Sequence, residues 1–270
     1  ASVKGRYDKT HMPEIVAEVQ INDGALQSEL YDIAITKINS KAKFQYSKER
    51  SSLDIEFIKA QCQNQRFSGK LKILNFQNPY IDGYIDGKIP VGILLARKST
   101  EAFSEISGIA TFEKLQFKGQ VSNFKDFKAS GSIVFENIKG RLFDTNISIP
   151  SALASIENNR LVIPQTTIET ELGDFITAAT VDGLFYGGKA SVPLKYDVHL
   201  AVKSLDLERA IGIYSKIKKI GDGKGQRDPG QGNISLTCAE LNFKKCKLKD
   251  LVISANIDQS RMVLSGEMSA

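Results

Sequence analysis

The chain has 270 residues, 41% of them hydrophobic and 25% charged, and it contains no tryptophan. Lysine and arginine number 36 against 31 acidic residues, a small excess spread thinly along the sequence. That balance excludes a basic nucleic-acid stripe with interleaved stacking aromatics, and no apolar run approaches the roughly 18 residues of a membrane helix.

Residues 1–14 read as a polar leader with no signal-peptide pattern. The chain starts on Ala1 and stops just past the strand-like MVLSGEMSA, so it is expected to be a piece of a longer protein. From residue 15 onward apolar and polar residues alternate, as in strands that bury one face and wet the other. The apolar phase runs through Ile15 and Val19, Ile33 and Ile35, Ile55 and Phe57, Leu71 and Ile73, then Ile85 and Ile89. It resumes at Ile133 and Phe135, Ile147 and Ile149, Leu161 and Ile163, and Val198 and Leu200.

Turn signals punctuate these runs. Asp23-Gly24, the SKER stretch at 47–50, Asn158-Asn159 and Gly187-Gly188 are expected hairpin connections, because such residues supply positive φ or local backbone bonding. Asp82-Gly83 and Asp86-Gly87 fall inside an alternating run and predict a bulge or bend. About twelve to sixteen strands result, more than an open sheet carries without curling. Residues 15–204 are therefore read as one all-β domain, a strongly curved antiparallel sheet that must close into a barrel, stack as a sandwich or leave a groove.

Residues 205–220 break the pattern. Leu207, Ala210, Ile211, Tyr214 and Ile217 stand at helical spacing, with Asp206 at the start and Lys216, Lys218 and Lys219 near the end. A short amphipathic helix lying on or plugging an end of the sheet is predicted, with a membrane-touching or gating helix as the alternative. Residues 221–232 (GDGKGQRDPGQG) form a Gly-rich linker without the GK[ST] ending of a phosphate loop. Strand patterns return over 233–270, continuing the groove or starting another unit.

Reactive chemistry is sparse. His11 and His199 lack partners at ligand spacing, which argues against a metal site. Asp144, Asp174 and Asp182 supply carboxylates, but each stands in a turn-like context where Asp bonds its own backbone. Cys62, Cys238 and Cys246 make an odd set without CxxC; Cys238 and Cys246 are close enough in sequence to meet across a hairpin, though free thiols are the simpler reading. No catalytic constellation or cofactor motif is found, and the chain is read as non-enzymatic, with no cofactor and no nucleic-acid partner.

The stretches GKLKILNFQNPYIDGYIDGKIPVGILL and SGSIVFENIKGRLFDTNISIPSALASIENNRLVIPQTTIETELGDFITAATVDGLFYGG, with VKSLDLERAIGIY, share a cadence of strand, turn, strand and closing glycine. In this the chain resembles the AsmA-like family of bacterial envelope proteins, which is similar in architecture to TamB and the bridge-like lipid-transfer proteins. The resemblance covers most of residues 15–270, through loose patterns of apolar spacing and glycine. It implies a taco-shaped groove with an apolar floor that carries acyl chains of phospholipids between inner and outer membranes. It also implies a periplasmic location, an inner-membrane anchor that this chain lacks, and a possible outer-membrane partner. On that reading the eighteen alternating residues named above, from Ile15 to Leu200, line the groove. The alternatives are a structural or adhesion β-sandwich or solenoid, and a TamB-like role in outer-membrane protein assembly.

Overall fold

The computed structural model describes residues 2–4, 14–28, 33–47, 49–95, 103–183, 194–221, 230–258 and 261–269. Among these residues fifteen strands lie side by side in one sheet, in the order in which they occur along the chain. They are β1 (Ser2–Lys4), β2 (Glu14–Ser28), β3 (Ile33–Tyr46), β4 (Ser51–Cys62) and β5 (Gln65–Leu74). Next come β6 (Tyr80–Pro90), β7 (Phe103–Gln120), β8 (Asn123–Leu142), β9 (Thr145–Glu157) and β10 (Arg160–Thr170). The last five are β11 (Gly173–Asp182), β12 (Lys195–Asp206), β13 (Gln231–Phe243), β14 (Cys246–Asp258) and β15 (Arg261–Ser269). Helix α1 (Val91–Leu95) follows β6, and helix α2 (Leu207–Gly221) follows β12.

The sheet is curved and does not close into a barrel. It is antiparallel except at one place, where β12 and β13 run parallel. A parallel pair needs a crossover, and α2 lies in that crossover. The all-β expectation thus holds, with two differences: a second short helix, and a mixed rather than purely antiparallel sheet. The predicted helix begins two residues later than expected, because Asp206 ends β12 and its carboxylate caps the Arg209 N–H at 3.1 Å.

Register makes the two faces chemically opposite. One cross-strand row reads Ala17, Phe44, Leu53, Ile73, Ile81 and Gly119. One residue along, the other face reads Glu18, Lys43, Asp54, Lys72, Asp82, Lys118 and Lys128, alternating in charge until its last step. A slip of one residue would put this charge ladder on the apolar side, so both rows specify the same register. Near the ladder, hydrogen bonds from Lys41 and Lys43 hold the Glu56 carboxyl below its usual range. These groups are solvated, so their contribution is to pairing specificity more than to stability.

Bulges bend the strands. Asp23 (φ 52°), Lys37 (φ 51°), Lys114 (φ 46°), Asn137 (φ 52°) and Asp250 (φ 49°) adopt the left-handed conformation within strands. Each inserts an extra residue and increases local twist. Side chains support them: Asn39 accepts from the Asp23 N–H at 3.3 Å and donates to the Lys37 carbonyl at 3.0 Å. Asp86 accepts from the Lys114 N–H at 3.0 Å. Asp23-Gly24 is therefore a stapled bulge inside β2 and not the expected hairpin turn. The Asp86-Gly87 step does lie at a register shift, as its position inside an alternating run predicts. Gly87 (φ 111°) and Gly131 (φ 139°) face the apolar side, where a Cβ would come within 2.5 Å of the Arg66 carbonyl and 2.8 Å of Leu115 Cα. Only glycine lets neighbouring backbones approach this closely on the inside of the bend.

The SKER turn closes through the Ser47 N–H and Arg50 carbonyl at 2.7 Å, and Asn158 and Asn159 both take positive φ in a tight hairpin. Gly187-Gly188 and linker residues 222–229 lie outside the described residues, as do residues 5–13 of the leader.

Candidate functional site

The apolar face is continuous from β2 to β15. A second row illustrates it: Ile163, Ala179, Val198, Ile234, Ala255 and Leu264 are successive partners across six strands. Along the register no Asp, Glu, Lys or Arg occupies this face in any described strand. Its few polar members are neutral, such as Ser40, Thr166 and Thr177.

No second sheet covers this face among the described residues. Even so, Ile55, Leu71, Ile73, Ile81, Ile147 and Ile163 are only half-exposed. Neighbouring strands shelter these side chains along the curved sheet, and we call the apolar side its floor and the curved surface a trough. With strands about 4.8 Å apart, fifteen of them extend about 65 Å along the sheet.

The two rims differ. One carries the turns Cys62–Gln65, Leu142–Thr145, Thr170–Gly173 and Phe243–Cys246, together with both helices; we call it the helical rim. The far rim carries the turns at 46–51, 74–80, 120–123 and 157–160.

Dry clusters occur where the helices lie on the floor. Val91 of α1 packs with Ile89, Ala110 and Phe112. Leu207 and Ala210 of α2 pack on Val202, Leu205, Cys238, Leu241 and Leu251. Over β9 to β11, Phe175 packs against the α2 cluster, and the other described floor residues belong to neither cluster. At the far rim, Phe76 from the β5–β6 turn stacks on Phe44 (centroids 5.7 Å apart), and its N–H donates to Ser51 Oγ at 2.8 Å. This aromatic lip folds over the edge of the floor.

The structure places most of the sequence-predicted groove residues on one face. Ile15, Val19, Ile35, Ile55, Leu71, Ile73, Ile85, Ile147, Leu161, Ile163, Val198 and Leu200 all lie on the floor by register. Ile89, Ile133, Phe135 and Ile149 do too, but Ile89 is buried in the α1 cluster, and Ile133 and Phe135 pack against it. Phe57 is a correction: an extra residue between Ile55 and Ile58 turns it outward opposite Lys41, where it is 37% exposed. The side chain of Ile33 lies outside the described residues.

Strict period two misses floor residues beyond each bulge. Ile147 and Ile149 are followed by Ala152, Ala154 and Ile156, and Val202 is followed by Leu205. The signal was present, as a change of apolar phase within one strand. Leu74, Tyr80 and Tyr84, which are out of phase, simply face outward.

Reactive side chains do not assemble. The described residues contain no group of three metal-ligating side chains. His199 sits on the outer face, with Nδ1 2.6 Å from Ser235 Oγ and Nε2 3.4 Å from Asp197. Asp174 and Asp182 stand at opposite ends of β11, about 26 Å apart at strand rise. Paired carboxylates of glycoside chemistry need about 5–9.5 Å. His11 lies outside the described residues.

All three cysteines are free, so Cys238 and Cys246 do not pair. Burial pushes the thiols of Cys62 and Cys238 up. Iodoacetamide at pH 8 is expected to label Cys246 alone in the folded protein, and all three thiols after denaturation; mass spectrometry of tryptic peptides reads this directly.

A shallow, open depression of about 420 Å³ lies among Glu105, Lys139, Arg141, Asn146, Glu169 and Glu171. Its walls carry both charge signs, and Arg141 is paired to Glu105 at 3.3 Å. The apolar face is the more extended feature, running across the described strands from β2 to β15. Comparison with family models, with curated proteins and with solved structures returned no match, so the trough is read from its geometry alone.

Proposed function

We infer that this chain binds acyl lipids on the trough floor and serves as a segment of a lipid-transfer path. The observation that carries this reading is a floor without Asp, Glu, Lys or Arg side chains that crosses every described strand from β2 to β15. Such a face needs a cover, and the cover has to be apolar along its whole length. An extended peptide is a poor fit. Strand backbones inside the sheet are already paired, so a peptide laid on the floor would bury its own N–H and C=O groups unsatisfied. An acyl chain has no such groups and gains about 0.8 kcal/mol per buried methylene. The head group stays in water at the open mouth, which requires no charge inside.

The likeness to AsmA-like proteins supports the same reading and extends it. On that basis the lipid is a phospholipid, the trough works in the periplasm between inner and outer membranes, and an anchor outside this chain holds it to the inner membrane. The function is carriage without covalent chemistry. A sandwich module is less well supported, since no second sheet faces the floor among the described residues.

The test is organic extraction of the purified protein followed by lipid mass spectrometry, with uptake of a fluorescent fatty acid by the delipidated protein. Co-purifying phospholipid together with saturable uptake is expected. Absence of both would overturn the assignment.

A further inference from the structure

We propose that a basic depression on the outer face of β3 to β5 binds a phosphate group, carried either by a lipid head group or by a small soluble phosphate. The site is separate from the trough floor and does not rest on the reading of that floor as a lipid path. The depression is shallow and open, about 340 Å³, and Lys37, Lys59 and Arg66 line it together with Gln61 and Ser68. Among the described residues no Asp or Glu lines it.

Register explains why these side chains meet. Lys59 is opposite Ser68 and Gln61 is opposite Arg66, while Ala60 and Phe67, one step between them, take the floor phase. Lys59 and Arg66 are therefore diagonal neighbours on the outer face, about 7–8 Å apart and within reach of each other's long side chains. A bulge in β3 adds the third cation. Thr36 pairs with Gln61 and Asn39 with Lys59, so β3 holds one residue more than β4 between these points. Lys37 takes the left-handed conformation there (φ 51°), and the Asn39 amide donates to its carbonyl at 3.0 Å. Such an insertion re-aims a side chain, and Lys37 joins the outer depression while Ile35 keeps its place on the floor.

Elsewhere on the outer face cations are set against acids: Lys43, Lys88, Arg141 and Lys247 each reach a carboxylate at 3.1–3.4 Å. Lys37, Lys59 and Arg66 make no ion pair with a described residue. Two carboxylates adjoin them by register. Asp86 is opposite Ser68 and accepts the Lys114 N–H at 3.0 Å, and Asp23 stands in the β2 bulge beside Gly24, the partner of Ile38. Neither is at ion-pair distance from the three cations. Like charges held this close repel, and an anion set among them relieves the repulsion. Phosphate suits the set better than a carboxylate does. It carries up to two charges, and its three terminal oxygens can be shared among the Arg66 fork, the two ammonium groups and the Ser68 hydroxyl.

The experiment titrates the full chain with inorganic phosphate by calorimetry at low ionic strength. In parallel, the chain is sedimented with phosphatidylcholine vesicles that contain or lack phosphatidic acid. Lys59→Gln and Arg66→Gln each remove one charge from an exposed position, and circular dichroism checks that the sheet is intact. Lys247→Gln, on β14 and outside the depression, removes the same charge and is the control. Each site variant is expected to weaken binding about fivefold and the double variant at least about tenfold, with Lys247→Gln as the parent. Site-dependent binding of inorganic phosphate, with no preference for phosphatidic acid, supports the site and makes its ligand a soluble phosphate. Site-dependent sedimentation with phosphatidic acid alone supports it and makes the ligand a head group. Binding in neither arm, binding that survives the double variant, or equal weakening by Lys247→Gln would overturn the site and leave the trough reading standing.

Discussion

Two aspartates on the open floor, Leu161→Asp with Ile163→Asp, are expected to empty the trough. These residues face Val181 and Ala179 on β11, outside both helix-covered clusters. In the unloaded protein both side chains are partly in water, so carboxylates there stay solvated and the strand pairing survives. Under an acyl chain the same carboxylates lose their water, and the cost is charged to binding. Affinity for a fluorescent fatty acid should fall at least about 100-fold, equivalent to ~2.7 kcal/mol. The neighbouring Val162→Asp is the control. Val162 lies between them in sequence but points outward, 37% exposed, opposite Ser155 and Thr180. It should bind as the parent does. Equal loss from all three substitutions would show that damage to the fold, not charge on the floor, is responsible. Ile133 and Phe135 serve this test less well, because both also support the packing beneath α1.

The largest expected loss of stability comes from Phe112→Ala. Phe112 is 8% exposed beneath α1, in the cluster with Val91, Ile89 and Ala110, and is directly opposite Ile133. Its removal forfeits apolar burial and leaves a hole between a five-residue helix and the sheet. A cost of about 3–5 kcal/mol is expected for such a truncation. Phe57→Ala, on the outer face at 37% exposure, should cost about 0.5 kcal/mol or less. Urea denaturation followed by far-ultraviolet circular dichroism separates the two. Comparable losses would mean that the α1 cluster contributes no more than the solvated face.

The contrast between these two phenylalanines shows where period two stops being informative. Ile55 and Phe57 look equivalent in sequence, yet one extra residue at the bulge before Ile58 sends them to opposite faces. In β9 the same kind of irregularity is visible beforehand, since the apolar phase moves from Ile147 and Ile149 to Ala152 and Ala154. A phase change within an apolar run was therefore the available sign of a bulge. Asp23-Gly24 misled for a related reason: a residue pair suited to positive φ serves a hairpin turn or a bulge equally well, and the partner strand decides which. Nothing local to β12 or β13 announces that they run parallel. That pairing depends on where a crossover of two dozen residues returns the chain.

Alternation and composition by themselves determined that this protein is a many-stranded sheet with one apolar and one charged face. They also pointed to an amphipathic helix over residues 205–220, which forms at Leu207–Gly221, but gave no sign of the short α1 at Val91–Leu95. The physical reason is that strand periodicity and helix periodicity are local properties, set by where successive side chains point. Only the tertiary structure decided that the apolar face carries no Asp, Glu, Lys or Arg from β2 to β15 among the described residues, and that Val91, Leu207 and Ala210 of the helices pack on it near the helical rim. Those are consequences of register, bulges and crossover direction. Each is settled by which strands meet, and a residue a hundred positions away can change them.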